Sequence, residues 1–381
     1  MNRPNRTVAG LDVHKDSVFL CVINDSGKIF ESKYGVLTPD LDRMASDMQH
    51  YGVSELALES TSIYWIPIWR VLEEMFDQKL VNPYFIKQLP GRKTDVKDAE
   101  WIATCVYKEL IRGSYVPELI IQELRQYDRR IFDLNKEIAH KLVKQDACLQ
   151  RCNIRISNYV STIDSKSYKG VVQLLSEGII DLEELIKCIH GRTINKHGRA
   201  TLLSALTGVV TAVDSDIIRM LMIEINMLQT HKAECQEKMT ALCNLHYPKQ
   251  LSQLQTIPGV KERTATSIIA EVGVDLKMFA TAAALVSWCG LHPRNEESAG
   301  KIKGRKITHG NKYLRKTLIE CAWAASRTQG SFLNKFSYTQ VTVRKKNKMK
   351  VQVAIARKIL VAVWHMFTKD QEYIDILKIG S

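Results

Sequence analysis

Four carboxylates stand in two local contexts from which they could bind metal ions and act on phosphate esters. Asp12 lies in the stretch Val-Ala-Gly-Leu-Asp-Val, and Glu59 ends Leu-Ala-Leu-Glu. Asp95 and Asp98 are separated by Val-Lys, a spacing that places both on one face of a helix. Carboxylate oxygens favour Mg²⁺ or Mn²⁺, and two such ions can clamp the attacking and leaving oxygens of a phosphodiester. The pattern predicts nuclease or strand-transfer chemistry.

Other side chains compete for the metal role. Asp16 and Asp25 follow the first apolar stretch, and Glu100 follows the helical pair, where each can equally be a surface charge. Glu100 is two residues beyond Asp98, so it points to another side of the helix. His14 could approach a metal, but a histidine at a strand end is more often packed or solvated.

The composition indicates a polyanionic partner. The chain has 381 residues, and 54 Lys and Arg against 41 Asp and Glu give a formal charge of +13. Such an excess favours nucleic acid without distinguishing DNA from RNA. The 9 cysteines show neither a disulfide framework nor zinc-ligand spacing. No run reaches the length of a membrane span, and no signal peptide is recognisable, so a cytoplasmic location is expected.

The order of predicted elements indicates the fold of the N-terminal region. Residues 7–34 read as antiparallel strands with a turn at Asn24-Asp25-Ser26-Gly27. A helix at 40–50, a strand at 55–59, a helix at 64–76, a strand at 79–82 and a helix opening near Thr94 follow. This βββαβαβα order is the ribonuclease-H-like arrangement, and it places the four acids at one edge of the sheet. We predict such an α/β domain over residues 1–115.

Long helices dominate residues 116–250. The stretches 122–151 and 217–245 carry apolar residues at three- and four-residue steps among many charges. They predict a helical hairpin or coiled-coil arm that also mediates dimerisation. The alternative is a simple spacer between domains.

Residues 251–381 form a third, mainly helical region with features of a phosphate-binding domain. Leu-Gln-Thr-Ile-Pro-Gly-Val-Lys resembles a helix-hairpin-helix, in which Gly259 permits the tight turn and Lys261 meets a phosphate at a helix N-terminus. Two basic runs follow, the first at 301–316 without an acid and the second at 344–350. The residues predicted to contact nucleic acid are Gly259, Lys261, Arg294, Lys301, Lys303, Arg305, Lys306, Lys312 and Arg315.

A serine in the same region is a weaker signal by itself. Ser298 lies in the stretch Asn-Glu-Glu-Ser-Ala-Gly-Lys, which reads as a loop in which small residues allow a phosphate to approach closely. Few loop serines are nucleophiles, so that role needs an independent argument.

Motifs along nearly the whole chain resemble the DEDD transposases of the insertion-sequence-110 family, relatives of the Piv-type DNA invertases. In the N-terminal part they are Gly-Leu-Asp-Val-His-Lys at 10–15, Leu-Glu-Ser-Thr-Ser-Ile-Tyr-Trp-Ile-Pro at 58–67, Val-Asn-Pro at 81–83 and Gly-Arg-Lys-Thr-Asp-Val-Lys-Asp-Ala at 91–99. In the C-terminal part they are Ile-Pro-Gly-Val at 257–260, Trp-Cys-Gly-Leu-His-Pro-Arg at 288–294, Ser-Ala-Gly at 298–300 and Ile-Thr-His-Gly-Asn-Lys-Tyr-Leu-Arg at 307–315.

The resemblance implies a RuvC-like domain, a coiled-coil arm and a transposase domain whose serine nucleophile is Ser298. It further implies dimers that pair into tetramers, in which the acids of one subunit meet the serine of another. A bridge RNA would choose the target and donor DNA. Two positions depart from the family, which commonly has glycine at the position of Ser62 and of Ala299.

The sequence thus predicts a bacterial, nucleoid-associated, RNA-guided and metal-dependent DNA recombinase. Asp12, Glu59, Asp95 and Asp98 would hold Mg²⁺ or Mn²⁺, and Ser298 would form a phosphoserine intermediate. One alternative is a junction-resolving nuclease that uses water with the same acids. Another is a non-catalytic nucleic-acid-binding protein that relies on the basic terminal domain.

Overall fold

The computed structural model describes residues 6–83, 86, 98–111, 113–292 and 307–377, together with the backbone of 296–298 and 301–304. The chain divides into two compact units, Met1–Pro117 and Glu118–Ser381. The further division predicted at residue 250 stays a prediction.

The first unit is a five-stranded sheet with helices on both faces. In chain order its elements are β1 (Val8–Val13), β2 (Val18–Asn24), β3 (Gly27–Tyr34), α1 (Thr38–His50), β4 (Glu55–Glu59), α2 (Trp65–Leu72), β5 (Asp77–Val81) and α3 (Asp98–Tyr107).

The strands lie in the order β3-β2-β1-β4-β5, with β1 at the centre. β1 is antiparallel to β2 and parallel to β4, while β3 is antiparallel to β2 and β5 is parallel to β4. Alternation along β1 sends Ala9, Leu11 and Val13 into a core covered by α1 and α2. Val8 faces the opposite core, which α3 covers. This mixed sheet is consistent with the predicted ribonuclease-H-like arrangement.

The second unit is helical apart from one small hairpin in its described residues. Its elements are α4 (Leu119–Arg151), α5 (Lys166–Ser176), α6 (Leu182–Lys187), α7 (Gly191–His197), α8 (Arg199–Leu206), α9 (Ala212–His246), α10 (Pro248–Gln255), α11 (Glu262–Val272), α12 (Ala282–Cys289), β6 (Glu296–Ser298), β7 (Lys301–Gly304), α13 (Lys312–Ala325), α14 (Phe332–Tyr338) and α15 (Lys348–Lys369).

The long helices α4 and α9 form an antiparallel arm, as the hairpin interpretation predicted. At one end Arg151 binds Asp214, with 2.6 Å between nitrogen and oxygen, and at the other the Tyr247 hydroxyl donates to Glu118 at 2.7 Å. The hairpin therefore returns the chain to the end of the arm at which α4 begins. Supercoiling of the pair stays a prediction.

The tip of the arm carries a small helical domain that the sequence did not predict. Helices α5 to α8 pack with the ends of α4 and α9 around Tyr168, whose ring is fully buried. Asn153, Gly178 and Gly198 have left-handed backbone conformations, which end the preceding helices or turns sharply. The stretch predicted as part of a continuous arm is thus a separate core.

The base of the arm and the C-terminal helices share one apolar core, in which α15 is central. By length and composition alone, helix α15 is long and apolar enough to cross a membrane. Its residues Val351, Ile355, Ile359 and Val363 are buried against α13 and other helices of this core, which accounts for its apolar character.

Candidate active site

Asp12 and Glu59 occupy matching positions on neighbouring parallel strands. Leu11 of β1 is paired with Leu58 of β4. Asp12 directly follows Leu11, and Glu59 directly follows Leu58. Because side chains alternate along a strand, both acids project from the face opposite to Leu11 and Leu58. That face is the one that α3 covers.

Gly10 allows α3 to lie directly against β1. A Cβ at Gly10 would be 2.2 Å from the carbonyl oxygen of Ala99 and 2.3 Å from the amide nitrogen of Ala103. Gly10 is two residues before Asp12 and shares its face, and Asp98 is the first residue of α3. A glycine in the strand therefore brings the first turn of α3, which carries Asp98, up to the sheet beside Asp12.

The three carboxylates influence one another electrostatically. Burial raises the pKa of Asp12, and the negative charges of Glu59 and Asp98 raise this pKa further, while His14 lowers it. Asp12 is therefore close enough to Glu59 and Asp98 for their charges to act on it. That the three acids form one metal site stays a prediction.

Within the described residues, no group of three His, Cys, Asp or Glu side chains is arranged to hold a metal ion. Asp12 Oδ2 lies 3.3 Å from His14 Nε2, and Glu59 accepts a hydrogen bond of 2.6 Å from Thr61. The fourth predicted ligand, Asp95, lies outside the described residues. The oxygen donors that repel one another here fit a hard divalent cation, and metal binding by them stays a prediction.

Two of the competing acids have other partners. Glu100 binds Lys28 at 2.7 Å, and Asp25 accepts a hydrogen bond from the Tyr107 hydroxyl. Asp16 is exposed in the connection between β1 and β2. Helical spacing correctly separated Glu100 from Asp98.

Ser298 ends a strand, which corrects its prediction as a loop residue. β6 pairs antiparallel with β7, and Ser298 lies opposite Lys301 in that pairing. Cross-strand hydrogen bonding fixes the backbone at this position better than an irregular loop would. The serine side chain lies outside the described part of the structure.

The segments on either side of this hairpin are joined to each other. The Thr308 amide donates to the His292 carbonyl at 3.0 Å. A Cβ at Gly310 would be 2.4 Å from the amide nitrogen of Gly290, so only glycine allows this approach. Two separate motifs of the sequence thus form the base from which the Ser298 hairpin projects.

Gly259 is explained by packing. Its backbone is left-handed, with φ of +85°, and a Cβ there would lie 2.4 Å from the amide nitrogen of Ala325 in α13. The side of Gly259 that a side chain would occupy is thus filled by α13. Lys261 is exposed at the start of α11, where its contact with a phosphate stays a prediction.

The remaining predicted nucleic-acid contacts are only partly described. Lys312 is exposed on α13. Arg315 is half-buried, and its Nη1 donates a hydrogen bond of 3.4 Å to the carbonyl oxygen of Thr308. Arg315 thus also supports the base of the hairpin. The side chains of Arg294, Lys301, Lys303, Arg305 and Lys306 lie outside the described residues.

The buried carboxylate of Glu271, beneath this region, was not predicted from the sequence. Glu271 is fully buried and accepts hydrogen bonds from both Arg129 and Asn311. Asn311 in turn caps α13 by accepting from the amides of Tyr313 and Leu314. The available signal was a single charge inside the apolar stretch Ile-Ile-Ala-Glu-Val.

Asp128 should make stability depend on pH. Burial, followed by the charge of Glu271, raises the pKa of Asp128 to about 6 from 3.8, although the Ser267 hydroxyl donates to it. The folded state therefore binds the proton more tightly, so the stability that the neutral acid contributes is present below about pH 4 and is lost as the pH rises to about 6. We expect Asp128→Asn to raise the free energy of unfolding by about 3 kcal/mol near pH 8, with little gain near pH 4, in urea titrations. Asp133→Asn, an exposed change on the same helix, is the control, and an equal effect at both pH values would contradict the assignment.

Ser62, where the resemblance implies glycine, has a backbone conformation that favours glycine. Its φ is +51°, a left-handed conformation that glycine adopts most easily. Serine there carries a strain of roughly 1 kcal/mol. The fold keeps the conformation that the family's glycine favours. Ala299, the other departure, lies outside the described residues.

Comparison with known proteins matches two separate segments of the chain to transposase families. Residues 9–154 match a family described as "Transposase", the DEDD type of IS110, and residues 251–337 match "Transposase IS116/IS110/IS902 family". The first segment contains Asp12, Glu59 and Asp98, and the second contains Ser298.

Two characterised sequences are similar to this chain. It is 21% identical over 377 residues to "Transposase for insertion sequence element IS1111A" of Coxiella burnetii (strain RSA 493 / Nine Mile phase I), covering 96% of this chain and 91% of that protein. It is 27% identical over 136 residues to "Putative transposase y4pF/y4sB" of Sinorhizobium fredii (strain NBRC 101917 / NGR234), covering 35% of each.

Proposed function

We propose that this chain, which belongs to the IS110/IS116/IS902 transposase family, is an RNA-guided DNA recombinase that moves an insertion sequence. The observation that carries the proposal is the convergence of Asp12, Glu59 and Asp98 where β1, β4 and α3 meet. Placing like-charged acids close together is unfavourable, and bound divalent cations of a phosphoryl-transfer site would offset that repulsion.

The proposed chemistry uses both matched segments. Asp12, Glu59, Asp95 and Asp98 would hold Mg²⁺ or Mn²⁺, which polarises the scissile phosphate when bound. Ser298 Oγ bonds to the phosphorus, and the 3′-oxygen leaves with the proton that the serine loses. The resulting 5′-phosphoserine retains the energy of the phosphodiester. Attack by another 3′-hydroxyl then rejoins the DNA without ATP.

An exposed apolar stripe on the arm supports the proposed dimers and their pairing into tetramers. The exposed residues Val213, Met220, Ile223 and Met227 recur at seven-, three- and four-residue steps on α9. That spacing forms one apolar stripe along the helix, away from α4. A second copy of the arm is the partner that this stripe fits. The resulting complex would assemble on DNA in the bacterial cytoplasm.

RNA guidance predicts that the protein alone lacks sequence specificity. RNase-treated protein should bind DNA weakly and without preference. Adding back the RNA that copurifies with the full chain should restore recombination between donor and target DNA, scored by amplification across the new junction. A scrambled RNA of equal length is the control. Faithful recombination by RNA-free protein would contradict guidance by RNA.

A further inference from the structure

Two aromatic rings from distant parts of the sequence meet at the base of the arm. Phe132 on α4 and Tyr313 on α13 have ring centroids 4.8 Å apart, with an angle of 73° between their planes. Both side chains are only half-buried. The pair therefore remains partly accessible beside the apolar core of the second unit.

Four cations surround these rings. Lys136 Nζ lies 4.3 Å from the centroid of Phe132, and Lys316 Nζ lies 5.1 Å from it. Lys312 Nζ and the guanidinium carbon of Arg129 lie 5.0 and 4.8 Å from the centroid of Tyr313. We call Phe132, Tyr313, Arg129, Lys136, Lys312 and Lys316 the aromatic–basic surface.

The cations differ in how firmly they are held. Arg129 is fixed, since its guanidinium is bound by the buried carboxylate of Glu271. The lysines have exposed acidic partners, with Lys136 at 2.9 Å from Asp133 and Lys316 at 3.7 Å from Glu320. Exposed ion pairs of this kind are weak. The lysine ammonium groups can therefore move from the rings to a phosphate at little cost.

Positive charge accumulates on the side of this surface where α9 and α11 pack. Burial lowers the pKa of Lys232, and the charges of Arg263 and Lys316 lower it further. Arg263 lies 3.8 Å from Glu320, so that acid is shared by two cations. A polyanion would relieve the repulsion between Lys232, Arg263 and Lys316.

We propose that the aromatic–basic surface binds an unpaired nucleotide of a nucleic-acid strand. An exposed ring accepts a base only when the base has left a duplex, because duplex bases offer no free face. The flanking phosphates then bind Lys136, Lys312 and Lys316 in place of their weak partners. The inference goes beyond the proposed catalysis and rests on it only in taking nucleic acid as the substrate class. The same chemistry serves a loop of RNA or an opened strand of DNA.

The test is binding of a short single-stranded oligonucleotide carrying 2-aminopurine to the full chain, freed of RNA and assayed in EDTA. Stacking on the rings should quench the probe. Phe132→Leu keeps the apolar volume in the fold but removes the stacking face, so it should abolish the quench and weaken binding about tenfold. Lys136→Gln with Lys312→Gln should instead lower the salt slope by about 1.4 and keep the quench.

Tyr338→Leu, which changes an aromatic residue 62% exposed on α14, is the matched control and should bind as the wild type does. Tyr313→Leu is a second stacking variant in case Phe132→Leu fails to fold. Unchanged quench and affinity in the folded stacking variants would overturn the proposal, as would an equal loss of duplex binding. DNA and RNA versions of the probe distinguish the two sources of the strand. Because the assay needs no cleavage, its result is independent of whether the acids and Ser298 catalyse recombination.

Discussion

Asp12→Asn or Asp98→Asn should abolish DNA strand cleavage while leaving folding and nucleic-acid binding intact. Each carboxylate contributes to charge stabilisation worth several kcal/mol, so cleavage of a labelled donor should fall by at least about a thousandfold. Asn has nearly the same volume as Asp. Because burial and neighbouring acids raise the pKa of Asp12, removal of its charge should not destabilise the fold. Cleavage rates with saturating Mg²⁺, together with binding measured by fluorescence anisotropy, test both statements.

Glu100 provides the matched control, since it lies in the same first turn of α3 as Asp98 but binds Lys28. Glu100→Gln should cleave as the wild type does. Loss of activity in that variant would indicate that the helix, and not the metal site, had been disturbed. Full activity of Asp12→Asn, or of the wild type in EDTA, would refute the metal site.

The first unit could be predicted from sequence because local rules and tertiary structure agree there. The strands β1, β2 and β4 are largely apolar runs, and the parallel pairing of β1 with β4 then places Asp12 beside Glu59. The role of Gly10 was not predicted. Nothing in the residues next to it shows that a helix almost ninety positions away will press against its Cα.

The second unit was less predictable because its important contacts join distant segments. Helical periodicity predicted α4 and α9, but the same periodicity continues through the tip, where short helices form a core around Tyr168. Similarly, the two basic runs were visible, whereas the contact of Phe132 with Tyr313 depends on the docking of α13 against the base of the arm. A charge pattern shows which groups are available. It does not show which of them meet.

The arm folds back on itself, and Tyr247 meets Glu118 at its base. Sharing of a site between subunits stays a prediction that must be measured directly.

Ser298→Ala should eliminate the covalent protein–DNA adduct that the wild type forms on a nicked or suicide substrate. The change replaces the hydroxyl with hydrogen and so removes the proposed nucleophile, and the adduct should therefore fall by a factor on the order of 10⁴. Denaturing gels detect the adduct, and peptide mapping locates it. Ser287→Ala is the matched control, because Ser287 is an exposed serine on the preceding helix α12. An adduct that persists in Ser298→Ala and disappears in Ser287→Ala would assign the nucleophile to Ser287. Cleavage by the wild type without any adduct would favour attack by water.

Mixing two inactive proteins then separates the shared site from the single-chain site. If the acids of one subunit serve the serine of another, Asp12→Asn and Ser298→Ala proteins should together recover activity, since a mixed assembly contains sites with an intact acid cluster and an intact serine. In a random dimeric mixture about a quarter of the sites would be complete. The adduct should form only on the Asp12→Asn chain, which a size tag on that chain identifies. No recovery despite assembly of mixed oligomers would show that each chain supplies both its acids and its serine.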